Sequence, residues 1–287
     1  MTFDFSIPGY DAPVDPSIIR VLSGDAPLPF DRAVSEAAGA ASLGHAFLAG
    51  YQGALRALVP SLPAERRVCL CATEAQGAHP RAIAARLTRD QGGWRLDGRK
   101  KWSTGAPLAE LLLVVASTGQ QPDGRNQLRV ALVDARAPGV TLHPMPDTPF
   151  IPEIPHAEVE LAGVRLAEDA LLPGDGYLRY LKPFRTVEDI HVFAAVLAHL
   201  DGSAQLARDL RLRLAAVLAT LRGLAAADPL SPATHLVLAG TLEHGRRIVD
   251  EAMPQLDARW QRDRPLLDVA TAARAARTAA AERQLSP

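Results

Sequence analysis

Cysteine is nearly missing from this 287-residue chain, which carries only Cys69 and Cys71. Two thiols are too few for a disulfide framework, and the Cys/His spacing of a zinc site is absent. Set two apart on a strand, they project from one face, and they read as buried, reduced thiols with no metal. Excess charge is missing too: 31 basic side chains face 32 acidic ones, for a net charge of −1. No global field therefore selects nucleic acid or an anionic lipid surface. No stretch reaches the ~20 apolar residues needed to cross a bilayer. The opening MTFDFSIPGYDAP has neither the basic start nor the apolar run of a secretory signal. Together these absences predict a cytoplasmic protein whose partners are small molecules or other proteins, with no nucleic acid and no membrane.

What is present is a change of texture along the chain. Hydrophobic residues make up 48% of the sequence, and a chain of this size can split into two or three units. Residues 1 to about 28 are rich in Pro, Gly and Asp and predict an irregular lead-in. Asp31 to Leu58 turns to Ala, Leu and small residues, which suits one or two short helices ended by Pro60 and Pro63. Next come short apolar runs with local turn signals: Val68–Thr73, Ala84–Arg89, Trp94–Trp102, Leu111–Ser117, Leu128–Val133, Val140–His143, Ala157–Leu161 and Val164–Leu166. Gln91-Gly92-Gly93 and Asp97-Gly98 both suit tight turns, and the pattern predicts an antiparallel sheet or barrel.

After Pro173 the helical texture returns. Thr186 suits an N-cap with Glu188 and Asp189 in an acidic first turn, and Asp201-Gly202-Ser203 suits an interruption. Ser231-Pro232 places a capping residue before a first-turn proline. Leu238, Leu242, Val249, Met253, Leu256 and Trp260 recur on one helical face, with a bend expected at Pro254. The expected fold is α+β and multidomain: a short N-terminal helical region (1–65), an antiparallel, barrel-like β-domain (66–172) and a C-terminal helical bundle (173–287).

The stretch that suggests chemistry pairs Thr73-Glu74-Ala75-Gln76-Gly77 with Leu96-Asp97-Gly98-Arg99-Lys100-Lys101-Trp102-Ser103-Thr104-Gly105-Ala106, about thirty residues later. The second segment leads straight into the apolar strand from Leu111. This pair resembles the middle β-domain of the acyl-CoA dehydrogenase family, where a "TEP-x-x-G-S-D" loop and an "L-x-G-x-K-x-W-I-T-N" hairpin enclose the flavin. Val159-Glu160-Leu161 through Leu171-Leu172-Pro173-Gly174-Asp175-Gly176 resembles the family's passage into its helical bundle. The resemblance covers roughly residues 66 to 190 and implies FAD as cofactor, an acyl-CoA-type small molecule as substrate and a homo-oligomer.

By that resemblance Trp102 stacks on or near the flavin, Thr104 with its neighbour Ser103 lies toward N5, and Thr73 holds the pyrimidine edge. Without that motif spacing, Trp102 reads as a half-buried strand aromatic and the two threonines as ordinary strand residues. The family places its carboxylate base late in the bundle, where no motif is recognisable here, or on the first bundle helix. Glu188 falls close to that early position; by its own position it reads first as a first-turn acid on a helix dipole. Several family features are missing. Gly77-Ala78-His79 stands where the family has G-S-D, Asp189 follows Glu188 in place of an arginine, and neither "R-K-x-F-G" nor "Q-x-x-G-G-x-G" occurs. Losing such charge-assisted contacts, at roughly 1.5–3 kcal/mol each, implies FAD that is weakly held or lost. Three functions follow: FAD-dependent α,β-oxidation of a CoA-type thioester, a catalytically silent binding or assembly subunit, or a flavin-dependent monooxygenase on the same scaffold. Arg99-Lys100-Lys101 reads as a solvated hairpin edge.

Overall fold

The computed structural model describes residues 28–77 and 79–285. The expected irregular lead-in lies almost wholly outside them, as does Ala78. The chain forms two compact units: a β unit of residues 58–148 and 152–185, and a helical unit comprising residues up to 57, residues 149–151 and those from 186 onward. Helical N- and C-terminal parts with a curled sheet between them in sequence match the expected architecture.

Seven strands build the β unit: β1 (Val68–Cys71), β2 (Arg86–Asp90), β3 (Gly93–Thr104), β4 (Leu111–Gln120), β5 (Asn126–Asp134), β6 (Val140–Pro144) and β7 (His156–Ala167). They run β1-β4-β2-β3-β7-β6, with β5 also paired to β4. The β2–β3, β3–β7, β4–β5 and β6–β7 ladders are antiparallel. The expectation of a purely antiparallel sheet meets two exceptions. β1 runs parallel to β4 from Val68↔Leu111 to Cys71↔Val114, and β2 meets β4 in parallel at Arg86↔Ser117. Hemmed in on both sides, β4 is buried from Leu111 through Ser117, which is why it reads as an unbroken apolar run. Leu87, Leu96, Leu112, Val114, Val133, Val159 and Val164 fill the core of this unit.

One turn and one strand break are corrected here. Gln91-Gly92 is the β2–β3 turn, with Gly92 at φ 79°, but Asp97-Gly98 lies inside the twelve-residue β3 at an irregularity of register between Leu96 and Gly98. Gly98 is required there for closeness: a Cβ would come 2.5 Å from that of Ala85. Likewise 157–161 and 164–166 are one strand, β7, because the extra residue opposite β3 is absorbed as a bulge.

The helical unit holds α1 (Pro29–Ala38), α2 (Leu43–Leu58), α3 (Lys182–Ser203), α4 (Arg208–Ala225), α5 (Pro232–Ala252), α6 (Ala258–Asp263) and α7 (Thr271–Leu285), the first residues of α3 belonging to the β unit. Thr186 is not an N-cap. A turn of π-helix over Tyr177–Leu181 runs directly into α3, and Thr186 is buried within it, its Oγ1 3.3 Å from His235 Nε2. Ser231 and Pro232 do occupy the cap and first position of α5. At Pro254 the helix stops, without a bend, in a short 3₁₀ turn, since proline cannot supply the next N–H. No helix among the described residues is long and apolar enough to cross a membrane.

Buried acids pin these helices. Asp31 accepts two hydrogen bonds from Arg222 of α4, at 2.7 and 3.1 Å. Asp189 of α3 is clamped by Arg274, at 2.9 and 2.7 Å, and by Arg277, both on α7. Two residues on, His191 is buried beside Phe30, with ring centroids 5.6 Å apart. Its Nδ1–H donates to the Val187 carbonyl at 2.8 Å, leaving Nε2 buried without a partner. Burial therefore holds this imidazole down at about 4, with the Val187 carbonyl opposing. Because the folded pKa lies below the unfolded one, the unfolded chain takes up the extra proton between about pH 4 and 6.5. Stability is full above that window and falls as pH drops through it, by up to about 3 kcal/mol. Urea unfolding midpoints should fall over this range in the native sequence and fall distinctly less in His191→Leu; equal slopes would show that His191 is not the group involved.

Candidate active site

The residues singled out in the β unit converge on the end of β3. Alternation from Leu96 places Lys100 inward, and simple continuation would place Trp102 inward as well. A bulge prevents this: Lys100 pairs with Val159 and Ser103 with Ala157, so three steps on β3 match two on β7. Trp102 takes φ 55°, one of two non-glycine residues with positive φ among the described residues. Its side chain is consequently 49% exposed and sits edge-on to His156, with centroids 6.1 Å apart. Its backbone N–H faces Met145 Sδ at 3.3 Å.

Thr73 and Thr104 are half-buried, and neither hydroxyl has a protein partner among the described residues. The Thr73 carbonyl accepts from Lys101 N at 2.8 Å, which ties the 73–77 turn to the bulge. Ser103 behaves differently. The parity change turns its side chain into the core, where its Oγ approaches the Cys71 thiol without a well-formed hydrogen bond. What Ser103 can offer a ligand is its backbone alone. Glu188 belongs to the helical unit, partly buried on α3 and well inside the helix, so the reading of it as a first-turn acid is corrected.

Under this surface lies an ion pair that the sequence reading missed. Lys100 is completely buried, and its Nζ lies 2.6 Å from Glu74 Oε1. The Glu74 carboxylate also accepts from Ala84 N at 2.7 Å and Ala85 N at 3.1 Å. Its backbone closes the turn with two hydrogen bonds to Gly77, at 3.0 and 2.9 Å. Burial pushes the Lys100 ammonium below the usual lysine range, while Glu74 and then the Cys71 thiol pull against it. The Cys71 thiol is lowered first by Cys69, whose sulfur is 3.8 Å away, then by Ser103 and Lys100, with burial opposing. Lys100 is therefore no solvated hairpin edge. The signal was available, since Leu96, Gly98 and Lys100 share one parity, but the flanking Arg99 and Lys101 masked it.

A half-exposed indole, two unpartnered hydroxyls and a rigid turn make up a donor set suited to the edge and face of a flat heteroaromatic ring. Residues 69–164 match the model of the acyl-CoA dehydrogenase middle domain. Over 149 residues the chain is 28% identical to benzylmalonyl-CoA dehydrogenase of Aromatoleum aromaticum, covering 50% of this chain and 37% of that protein. It is 32% identical over 122 residues to a probable acyl-CoA dehydrogenase, YngJ, of Bacillus subtilis, covering 42% of this chain and 31% of that one. Among solved structures, butyryl-CoA dehydrogenase from Megasphaera elsdenii shares the fold with a TM-score of 0.69 at 15% identity, over 91% of this chain and 85% of that one. Residues 69–164 thus match an acyl-CoA dehydrogenase middle domain, within a chain that shares the fold of a solved acyl-CoA dehydrogenase. The likeness is distant, for the matched stretches span only about a third of the two curated relatives.

Within this acyl-CoA dehydrogenase middle domain the Lys100–Glu74 pair is the fixed point. Lys100→Met leaves a buried carboxylate without its cation and should cost about 3–5 kcal/mol in urea unfolding. Adding Glu74→Gln to that variant should recover a substantial part of the loss. A cost below about 1 kcal/mol, or no recovery, would show that the pair does not hold the turn.

Proposed function

We propose that this chain is a flavin-dependent oxidoreductase that oxidises a CoA-type thioester across its α,β carbons. The observation carrying this reading is the outward turn of Trp102 at the β3 bulge, beside two hydroxyls that the fold leaves unpartnered. A bound FAD would supply the acceptor for the hydride leaving the β-carbon. The protein's share is physical. Trp102 offers an apolar wall, Thr73 and Thr104 offer donors along an edge, and the Glu74–Lys100 pair keeps the turn bearing Thr73 from drifting. Glu188 is assigned as the base that removes the α-proton, a step for which a positioned carboxylate contributes about 10²–10⁴-fold.

The acyl-CoA-type partner and the homo-oligomer implied by the family resemblance, and the cytoplasmic location expected from the sequence, belong to the same proposal, as do the domain limits of 1–65, 66–172 and 173–287. So does weak FAD binding, because Ala78 stands where the family has the serine whose hydroxyl would meet the cofactor's pyrophosphate.

Purified protein mixed with FAD should acquire the visible absorbance of a bound, oxidised flavin, and acyl-CoA added without oxygen should bleach it. Glu188→Gln should slow the bleaching by about two orders of magnitude while flavin binding stays unchanged. Protein that never binds flavin defeats the proposal. Flavin that binds but is not bleached points to the silent binding subunit, and reduced flavin that reacts with oxygen without acyl-CoA points to the monooxygenase.

A further inference from the structure

A second site lies in the β unit and shares no residue with the one above. Strands β2, β3, β4 and β5 border an open cleft of about 390 Å³ whose polar lining includes Arg89, Trp94, Thr118, Gln127 and Arg129. Two arginines line it and no carboxylate does. The indole Nε1 of Trp94 and the Nε of Arg129 are both shielded from solvent with no hydrogen-bond partner. Both atoms can only donate, and an unmade donor in a shielded place is costly. Arg129 meets no carboxylate among the described residues: its Nη2 donates to the Leu172 carbonyl at 3.0 Å. Arg89 lies over the Trp94 ring, 4.1 Å from its centroid. It is held from outside by Glu168, in an ion pair whose side chains are 65% and 60% exposed. Exposed pairs of this kind contribute little, so the Arg89 guanidinium is the movable wall of the cleft.

We propose that this cleft binds a small organic oxyanion, a carboxylate or a phosphate ester carried on a flat body. The acceptor oxygens would take the donors of Trp94 and Arg129, and the flat body would lie on the indole in place of, or beneath, Arg89. The volume suits a small ligand better than a bare inorganic ion; Arg129 meets no carboxylate, and Arg89 could exchange its exposed partner Glu168 for the ligand's negative charge.

The Trp94 indole N–H gives its own signal in a ¹⁵N–¹H correlation spectrum, identified by its loss in Trp94→Phe. Titration of the full chain with benzoate and with phenyl phosphate should move that signal saturably for at least one of them, and which one responds assigns carboxylate or phosphate. Neutral benzamide should leave it in place. Arg129→Gln should weaken binding about tenfold or more. If that variant fails to fold, Arg89→Ala, altered at an exposed side chain, should weaken it severalfold. No shift with either anion, an equal shift with benzamide, or affinity unchanged in a folded arginine variant would overturn the proposal.

Discussion

Placing a lysine in a hydrophobic core is the most demanding thing this fold does. An ammonium at 0% exposure loses its hydration, and the loss is tolerable only with a close counter-charge whose own lone pairs are also occupied. Glu74 meets both conditions, with Lys100 at 2.6 Å and the backbone N–H groups of Ala84 and Ala85 on its carboxylate. The same three contacts join the 73–77 turn, the approach to β2 and the middle of β3. The turn cannot shift without stranding a charge, so Thr73 is fixed through its neighbour. The bulge that presents Trp102 begins immediately after Lys100, where the strand is least able to slide.

Burying charge in this way recurs in the helical unit under the same rule. Asp31 and Asp189 are both about 6% exposed, and each is held by arginine, which can satisfy a carboxylate through two parallel hydrogen bonds. The Asp189 clamp gives a physical reason for a departure from the family pattern. Where an arginine is expected after the glutamate, this chain has an acid that receives Arg274 and Arg277 from α7. Glu188, next to it, is thereby carried on a helix whose rotation is fixed.

Much of the architecture was legible because it rests on periodicity. Leu111–Ser117 reads as a buried strand and proves to be one; Ser231-Pro232 starts a helix; Gln91-Gly92 closes a hairpin. What was illegible depends on pairing. Asp97-Gly98 has the composition of a turn, but Ala85 packs so closely that glycine is needed inside the strand. Thr186 has the composition of a cap, but the π-turn before it continues the helix. At the candidate site, the family spacing pointed to Thr73, Trp102 and Thr104, while the inward turn of Ser103 follows from one extra residue on β3, which only the partner strand reveals. Lys100 hid between two solvated cations, although alternation from Leu96 marked it as inward.

Accounting for polar groups separates those that serve the fold from those that do not. The carboxylates of Glu74, Asp31 and Asp189 are fully committed to protein partners, and removing any partner would be felt as lost stability. Thr73 and Thr104 are the opposite case: half-buried hydroxyls beside an exposed indole, which nothing in the fold uses. Water can satisfy them at no cost to the fold, so selection for stability alone gives no reason to keep hydroxyls at both positions. Trp94 Nε1 and Arg129 Nε differ again, because they are shielded from water and yet unpartnered. A fold gains nothing from two unmade donors on one cleft wall, and each would be less costly as an apolar atom of the same shape. Trp94 and Arg129 both line the open cleft of the β unit, so an acceptor brought by a ligand is one way to satisfy those donors.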